Sequence, residues 1–286
     1  MPIVRPVFRP PRPQHHAPRS AVPIHAPDPY DRPEKSHPQE QSHLQERPHP
    51  LEELHSLEEP HPREEQLRAP APPELQLSLD DHELRPMVET LSTVGSEISA
   101  IRLAPVLLMC EGLAAVREIR ARHPDRTLCA DLRISAGGGD FARHCFQAGA
   151  DWVTCAADAS PAAIADVVDV AEEFDGQVQI DLGEEESSER ARAWRMRGAT
   201  HVTLHCSPSA GAVGSPVRWR STRGRIEKLQ RWGLRVSVAG TFDAADLAGL
   251  VDAGVESIIV GEDVTAACDP LAAVTSFAVA LERACM

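Results

Sequence analysis

The sequence predicts an α/β fold: a (β/α)8 barrel of the TIM type, preceded by a disordered Pro/His-rich N-terminal tail. Two observations lead there. Short apolar runs recur eight times from Leu75 onward, with starts roughly 20–35 residues apart, the length of one strand, one helix and two loops. The intervals between them carry helical patterns, and buried, β-branched strands alternating with helices call for a parallel sheet. A doubly wound open sheet is the alternative. Eight units, and the lack of a Gly-rich dinucleotide fingerprint after the first strand, weigh against it.

The tail comes first in the chain. Residues 1–73 hold 18 of the 25 prolines and 8 of the 13 histidines. Proline spacing there forbids helix, and too little apolar surface exists to offset ordering entropy. An internal duplication is visible, "HLQERPHPLEE" from His43 and "HSLEEPHPREE" from His55, related by a shift of 12. A solvated linker is the favoured reading; docking of a partner, whose identity the sequence does not give, or weak metal binding is the other.

The barrel domain is expected over 74–286. Its strands are "LQLSLD" 75–80, "AIRLA" 100–104, "TLCADLR" 127–133, "WVTCAA" 152–157, "VQIDL" 178–182, "HVTLHC" 201–206, "RVSVAG" 235–240 and "SIIVGE" 257–262. Among the helices, "PAAIADVVDVAEEF" 161–174 follows a Ser-Pro start signal. "SSERARAWRMRGA" 187–199 and "AADLAGLVDAGV" 244–255 each carry a glycine at the expected stop, and "PLAAVTSFAVALERA" 270–284 is last.

Charge narrows the partners. The formal charge is −14, and the first 73 residues, with 9 Lys/Arg against 11 Asp/Glu, contribute little of it. An acidic domain with scattered arginines argues against nucleic acid. No run of 18 apolar residues exists, which argues against a membrane span, and the start lacks the apolar core of a secretion signal. Seven cysteines without a CxxC pair point to reduced thiols and a cytoplasmic location.

In a barrel of this kind the site lies at the strands' C-terminal ends. The candidates there are Asp80, Arg102, Asp131, Arg133, Asp181, His205, Gly240, Gly261 and Glu262. Cys206 follows His205, so alternation turns its thiol away from the interior. The run Gly137–Gly139 is expected to be a flexible loop rather than an anion cradle.

Seven stretches, "LQLSLD", "CADLRI", "AGADWVT", "FDGQVQIDL", "VTLHCS", "VSVAG" and "IIVGE", occur in that order. Together they resemble the orotidine 5′-phosphate decarboxylase superfamily, in its 3-keto-L-gulonate 6-phosphate decarboxylase and 3-hexulose 6-phosphate synthase branch. The resemblance covers about residues 75–282. It implies a homodimeric barrel that binds a sugar phosphate and Mg²⁺ and passes through an enediolate. It also implies catalytic roles for Asp80, Asp131, Arg133 and His205, a metal held by Asp131, and phosphate binding at Gly240 and Gly261.

Five positions depart from that pattern. Arg102 stands where the second metal ligand, a Glu, belongs, and an Arg cannot become a ligand. Arg133 replaces a Lys, and its pKa is too high for proton transfer near neutrality. Ala136 replaces an Asp, Pro208 an Arg, and Glu262 the phosphate-gripping Arg, reversing its charge. These changes set an expectation: Arg102 pairs with Asp131 where the metal would sit. Two function classes follow. One is a divergent sugar-phosphate decarboxylase or aldolase-like carbon–carbon lyase, its metal-dependent activity altered or lost. The other is a catalytically inactive pseudoenzyme acting as a binding or scaffold protein.

Overall fold

The computed structural model of the chain describes residues 72–183, 188–206 and 216–286. The tail, its duplication and its histidines fall outside those residues, apart from Pro72 and Pro73, and so does Pro208.

Eight parallel strands close into a barrel in sequence order. They are β1 (Glu74–Leu79), β2 (Ala100–Leu103), β3 (Thr127–Ile134), β4 (Trp152–Ala156), β5 (Gln177–Leu182), β6 (His201–Cys206), β7 (Arg235–Gly240) and β8 (Ser257–Val260). The ring is completed by β1 pairing with β8. Around it run α1 (Leu84–Val94), α2 (Pro105–Glu111), α3 (Leu113–Arg122), α4 (Gly139–Ala148), α5 (Pro161–Glu173), α6 (Ala191–Met196), α7 (Pro216–Gln230), α8 (Ala244–Asp252), α9 (Glu262–Thr265) and α10 (Pro270–Ala284). Each of the eight apolar runs is a strand.

Boundaries differ where local chemistry intervenes. The run ending in Gly261 and Glu262 stops as strand at Val260, because Glu262 already opens α9. The expected helix over 187–199 is a 3-10 turn at Ser188–Arg190 followed by the short α6. Helix starts match their signals: Ser160 accepts a hydrogen bond from the Ala163 amide ahead of Pro161. Asp243 forms a reciprocal capping box with Asp246.

Side chains alternate across each strand and divide the molecule into two chemistries. Leu75, Leu77 and Leu79 of β1, Val178, Ile180 and Leu182 of β5, and Val236 and Val238 of β7 all join the apolar core shared with the helices. The intervening positions, Gln76, Ser78, Arg102, Asp131, Thr154, Gln179, Asp181, Thr203, Ser237 and Ser257, are buried and polar. The barrel's inside is thus a hydrogen-bonded layer, and its hydrophobic burial lies outside the strands. Gln179 donates to Ser237 Oγ at 3.3 Å, and Ser257 Oγ to the same oxygen at 2.9 Å.

Gln76 breaks that rule. It is fully buried, and both its amide nitrogen and oxygen lack a hydrogen-bond partner. A buried polar group in that state costs about 1–3 kcal/mol, and an apolar group of similar shape avoids the cost. Gln76→Met is therefore expected to raise stability by about 1 kcal/mol, read as the urea midpoint; a lowered midpoint would refute it.

No helix among the described residues is long and apolar enough to cross a membrane. All seven cysteines are free thiols.

Candidate active site

Inward positions near the C-terminal ends of β2, β3, β5 and β6 bring Arg102, Asp131, Asp181 and His205 together. Arg102 lies at the centre and is 2 % exposed. Its Nε donates to Asp131 Oδ2 at 3.1 Å and its Nη2 to Asp181 Oδ2 at 2.9 Å, with Nη2 also 2.9 Å from Asp131 Oδ2. Nη1 donates to Gln179 Oε1 at 2.8 Å and to Thr203 Oγ1 at 3.3 Å. The Arg102–Asp131 pair expected from the sequence is present, widened by Asp181. Burial pulls the guanidinium's pKa down, but the charges of Asp131 and Asp181 outweigh that and raise it, so the group keeps its charge. Burial pushes the neighbouring Cys129 thiol up to about 12, so that sulfur stays neutral.

Asp131 takes a second hydrogen bond on Oδ1, from Thr154 Oγ1 at 2.7 Å. The same hydroxyl accepts from the Arg133 amide at 2.8 Å. Here β3 and β4 slip in register between Ala130 and Ile134, and Arg133 adopts a left-handed backbone with φ 46°. A long side chain held there carries strain, which concentrates at functional sites. The strain is matched by exposure: Arg133 is 48 % open and stands over the buried carboxylates. Its Nε lies 3.7 Å from Asp131 Oδ1 and 3.5 Å from Asp181 Oδ1.

His205 Nε2 lies 2.9 Å from Asp181 Oδ2, with the imidazole 30 % exposed. Burial would raise the Asp181 pKa, but the His205 bond and the charges of Arg102 and Arg133 hold it below the usual carboxylate range. An ionised carboxylate can only accept, so Nε2 carries the hydrogen and Nδ1 is the ring's proton acceptor.

This depression has a sign. Asp181 stabilises the fold fully above the ordinary carboxylate range near pH 4, and that contribution is lost as pH falls through its lower folded value. The stability gap between wild type and Asp181→Asn is therefore expected to narrow below about pH 4, measured by denaturant titration at several pH values. A gap unchanged with pH would refute the assignment.

Asp80 stands apart, at the seam of β1 and β8. Its Oδ1 accepts from Ser78 Oγ at 2.6 Å. Burial raises its pKa, and the charges of Glu262 and Asp131 add to that against the Ser78 bond and Arg102. Gly261 lies so close that a Cβ there would fall 2.0 Å from Asp80 Oδ2. Gly240 lies against β6, where a Cβ would come within 2.3 Å of the Cys206 carbonyl oxygen. Both glycines thus have packing reasons of their own. Cys206 turns outward as expected, its Sγ 3.4 Å from Thr222 Oγ1 of α7. Ala136 is exposed in the loop after β3.

Within the glycine run, Gly138 is closely packed and Gly139 opens α4. Gly137 takes φ 60°, and a Cβ on Gly138 would sit 2.0 Å from Ile134 Cγ2, so the chain turns tightly into α4.

Asp131 does not fit its implied role as a Mg²⁺ ligand. Arg102 occupies the space between the carboxylates, Asp131 Oδ2 is engaged by that guanidinium, and Oδ1 is engaged by Thr154. Among the described residues no group of three or more His, Cys, Asp or Glu side chains is placed to hold a metal ion. Sequence reasoning gave Asp181 no role and missed Gln179, Thr154 and Thr203. The available signal was strand alternation, since "VQIDL" sets Gln179 and Asp181 on one face.

Comparison with known proteins agrees with the barrel fold. The profile described as "Orotidine 5'-phosphate decarboxylase / HUMPS family" matches residues 73–277. A 3-keto-L-gulonate-6-phosphate decarboxylase from Escherichia fergusonii is 35 % identical over 208 residues, 72 % of this chain and 94 % of that protein. Among solved structures, KGPDC from Streptococcus mutans superposes with TM-score 0.68 at 26 % identity, over 76 % of this chain and all of that one. A 3-hexulose-6-phosphate synthase superposes with TM-score 0.66 at 28 % identity, over 72 % and 99 % of the two chains.

Proposed function

Because the chain belongs to the orotidine 5′-phosphate decarboxylase / HUMPS family, we propose that it is a carbon–carbon lyase. Its substrate is a ketose or keto acid of the sugar-phosphate kind, and its chemistry is set by its own arginines rather than the family's lysine. The observation that carries this reading is the half-open Arg133 guanidinium beside the His205–Asp181 pair. Cleavage next to a carbonyl leaves its electron pair as an enediolate. A permanently charged guanidinium at the mouth stabilises that oxyanion as it forms. His205 takes a proton at Nδ1, from solvent after decarboxylation or from the hydroxyl that leaves as formaldehyde, and passes it to the carbanionic carbon, while Asp181 holds the ring by Nε2. Gly240 and Gly261 give the distal end of the ligand close approach to the backbone, and Asp80 stands beside it.

The test is direct turnover of 3-keto-L-gulonate 6-phosphate, followed by carbon dioxide release, and of hexulose 6-phosphate, followed by formaldehyde release. Turnover of one is expected, with a loss of about 10²–10⁴-fold in His205→Ala. Absence of turnover by the folded wild-type protein on both would defeat the lyase reading. One observation favours a second reading, a catalytically silent binding barrel. The exposed Glu262 adds negative charge beside Asp80, where a phosphate dianion would be repelled.

The free thiols support a cytoplasmic location. Met109 of α2 and Phe141 of α4, both exposed, offer apolar surface for a homodimer.

A further inference from the structure

We infer that Arg102 is a resident cation of this chain, standing in the place of a divalent metal ion between Asp131 and Asp181, so that the site works without one. Its Nη2 bridges one oxygen of each carboxylate at 2.9 Å, the position a bound cation would take between them. Each guanidinium nitrogen has a partner, through Asp131, Asp181, Gln179 and Thr203, so the group is caged by β3, β5 and β6. Charge agrees with geometry. Arg102 and Arg133 balance Asp131 and Asp181, and even with the nearby Asp80 counted a divalent ion added to that set would leave excess positive charge in a largely buried place.

Arg102 is closed to solvent, so it does not touch a ligand. It is a positioning residue, fixing Asp181 and, through Asp181, the orientation of His205. The inference deepens the lyase reading of this site. Its test reads metal binding rather than turnover, so the two can fail separately.

Arg102→Glu would leave three carboxylates where one guanidinium and two carboxylates now stand, a donor set suited to a hard divalent cation. Mn²⁺ is titrated into the full-length protein, and free ion is followed by electron paramagnetic resonance. Wild type and Arg102→Lys are expected to show no binding that depends on Asp131. Arg102→Glu is expected to take up one equivalent at least about tenfold more tightly than wild type, and Arg102→Glu with Asp131→Asn to lose it. Ion held by the tail's histidines survives Asp131→Asn and is thereby separated. Binding of one equivalent by wild type that Asp131→Asn abolishes overturns the inference. So does a folded Arg102→Glu that takes up no Mn²⁺. Should Arg102→Glu fold only with Mn²⁺ present, its thermal transition reports the site instead. Should it not fold at all, the wild-type titration decides alone.

Discussion

Replacing Arg102 with methionine is expected to cost about 3–5 kcal/mol of stability, because it leaves two buried carboxylates with only the half-exposed Arg133 as a cation. Asp131 and Asp181 are 2 % and 4 % exposed, so water cannot take over from the guanidinium. For a domain of this size the loss corresponds to a fall in Tm on the order of 10 °C. The stem of Arg102 is not the issue, since methionine refills most of its volume. Charge is, and a companion variant isolates it. Arg102→Met combined with Asp131→Asn and Asp181→Asn removes all three charges, and most of the loss is expected to return. Removing one partner of a buried ion group exposes the desolvation cost of the others, whereas removing all of them together does not. Calorimetry on the two variants checks this. Equal instability in both would mean that packing, not charge, is what Arg102 supplies.

Gly240→Ala is the second large effect. The glycine has φ 156°, and its missing Cβ would meet a backbone carbonyl, that of Cys206, at 2.3 Å. A flexible side chain could swing aside; a carbonyl in the neighbouring strand cannot. The register pairs Cys206 with Gly240 and His205 with Ala239, so relief comes only by parting β6 from β7 at the mouth. Roughly 3 kcal/mol is expected from overpacking and backbone strain together. His205 would move with its strand, so any activity should fall by more than stability alone explains. Gly224→Ala supplies the control. That glycine lies inside α7 with open space around its Cβ position. The change there should gain roughly 0.5–1 kcal/mol. Equilibrium unfolding of both variants separates steric clash from glycine's general entropy.

The fold was legible because its two signals are redundant. Apolar strands set the outer surface of the barrel, spacing set the helices between, and neither depends on a single residue. The site was legible where strand ends determine it, hence Asp131, Arg133 and His205 at the mouth, and the Arg102–Asp131 pair followed from what the family resemblance implies. Asp181 was visible as a strand-end residue but not as the hub it is. Its importance comes from Arg102 reaching across the barrel, from β2 to β5. No local pattern encodes a contact between residues 79 positions apart. The left-handed Arg133 was hidden for a related reason. Its sequence context is an ordinary strand, and the bulge arises from how β3 settles against β4. The close fit of Gly138 against Ile134 was hidden, because composition does not report a packed neighbour.

Thr154 carries a consequence for redesign. One hydroxyl donates to Asp131 and accepts from the Arg133 amide, so an uncharged residue on β4 sets both the aim of a carboxylate and the bend that presents an arginine. The mouth can therefore be retuned from a strand that holds none of its charges. A library confined to the charged positions would vary the instruments and leave their mounting unexplored. Varying Thr154 among Ser, Val and Asn would change the mounting while leaving every charge in place.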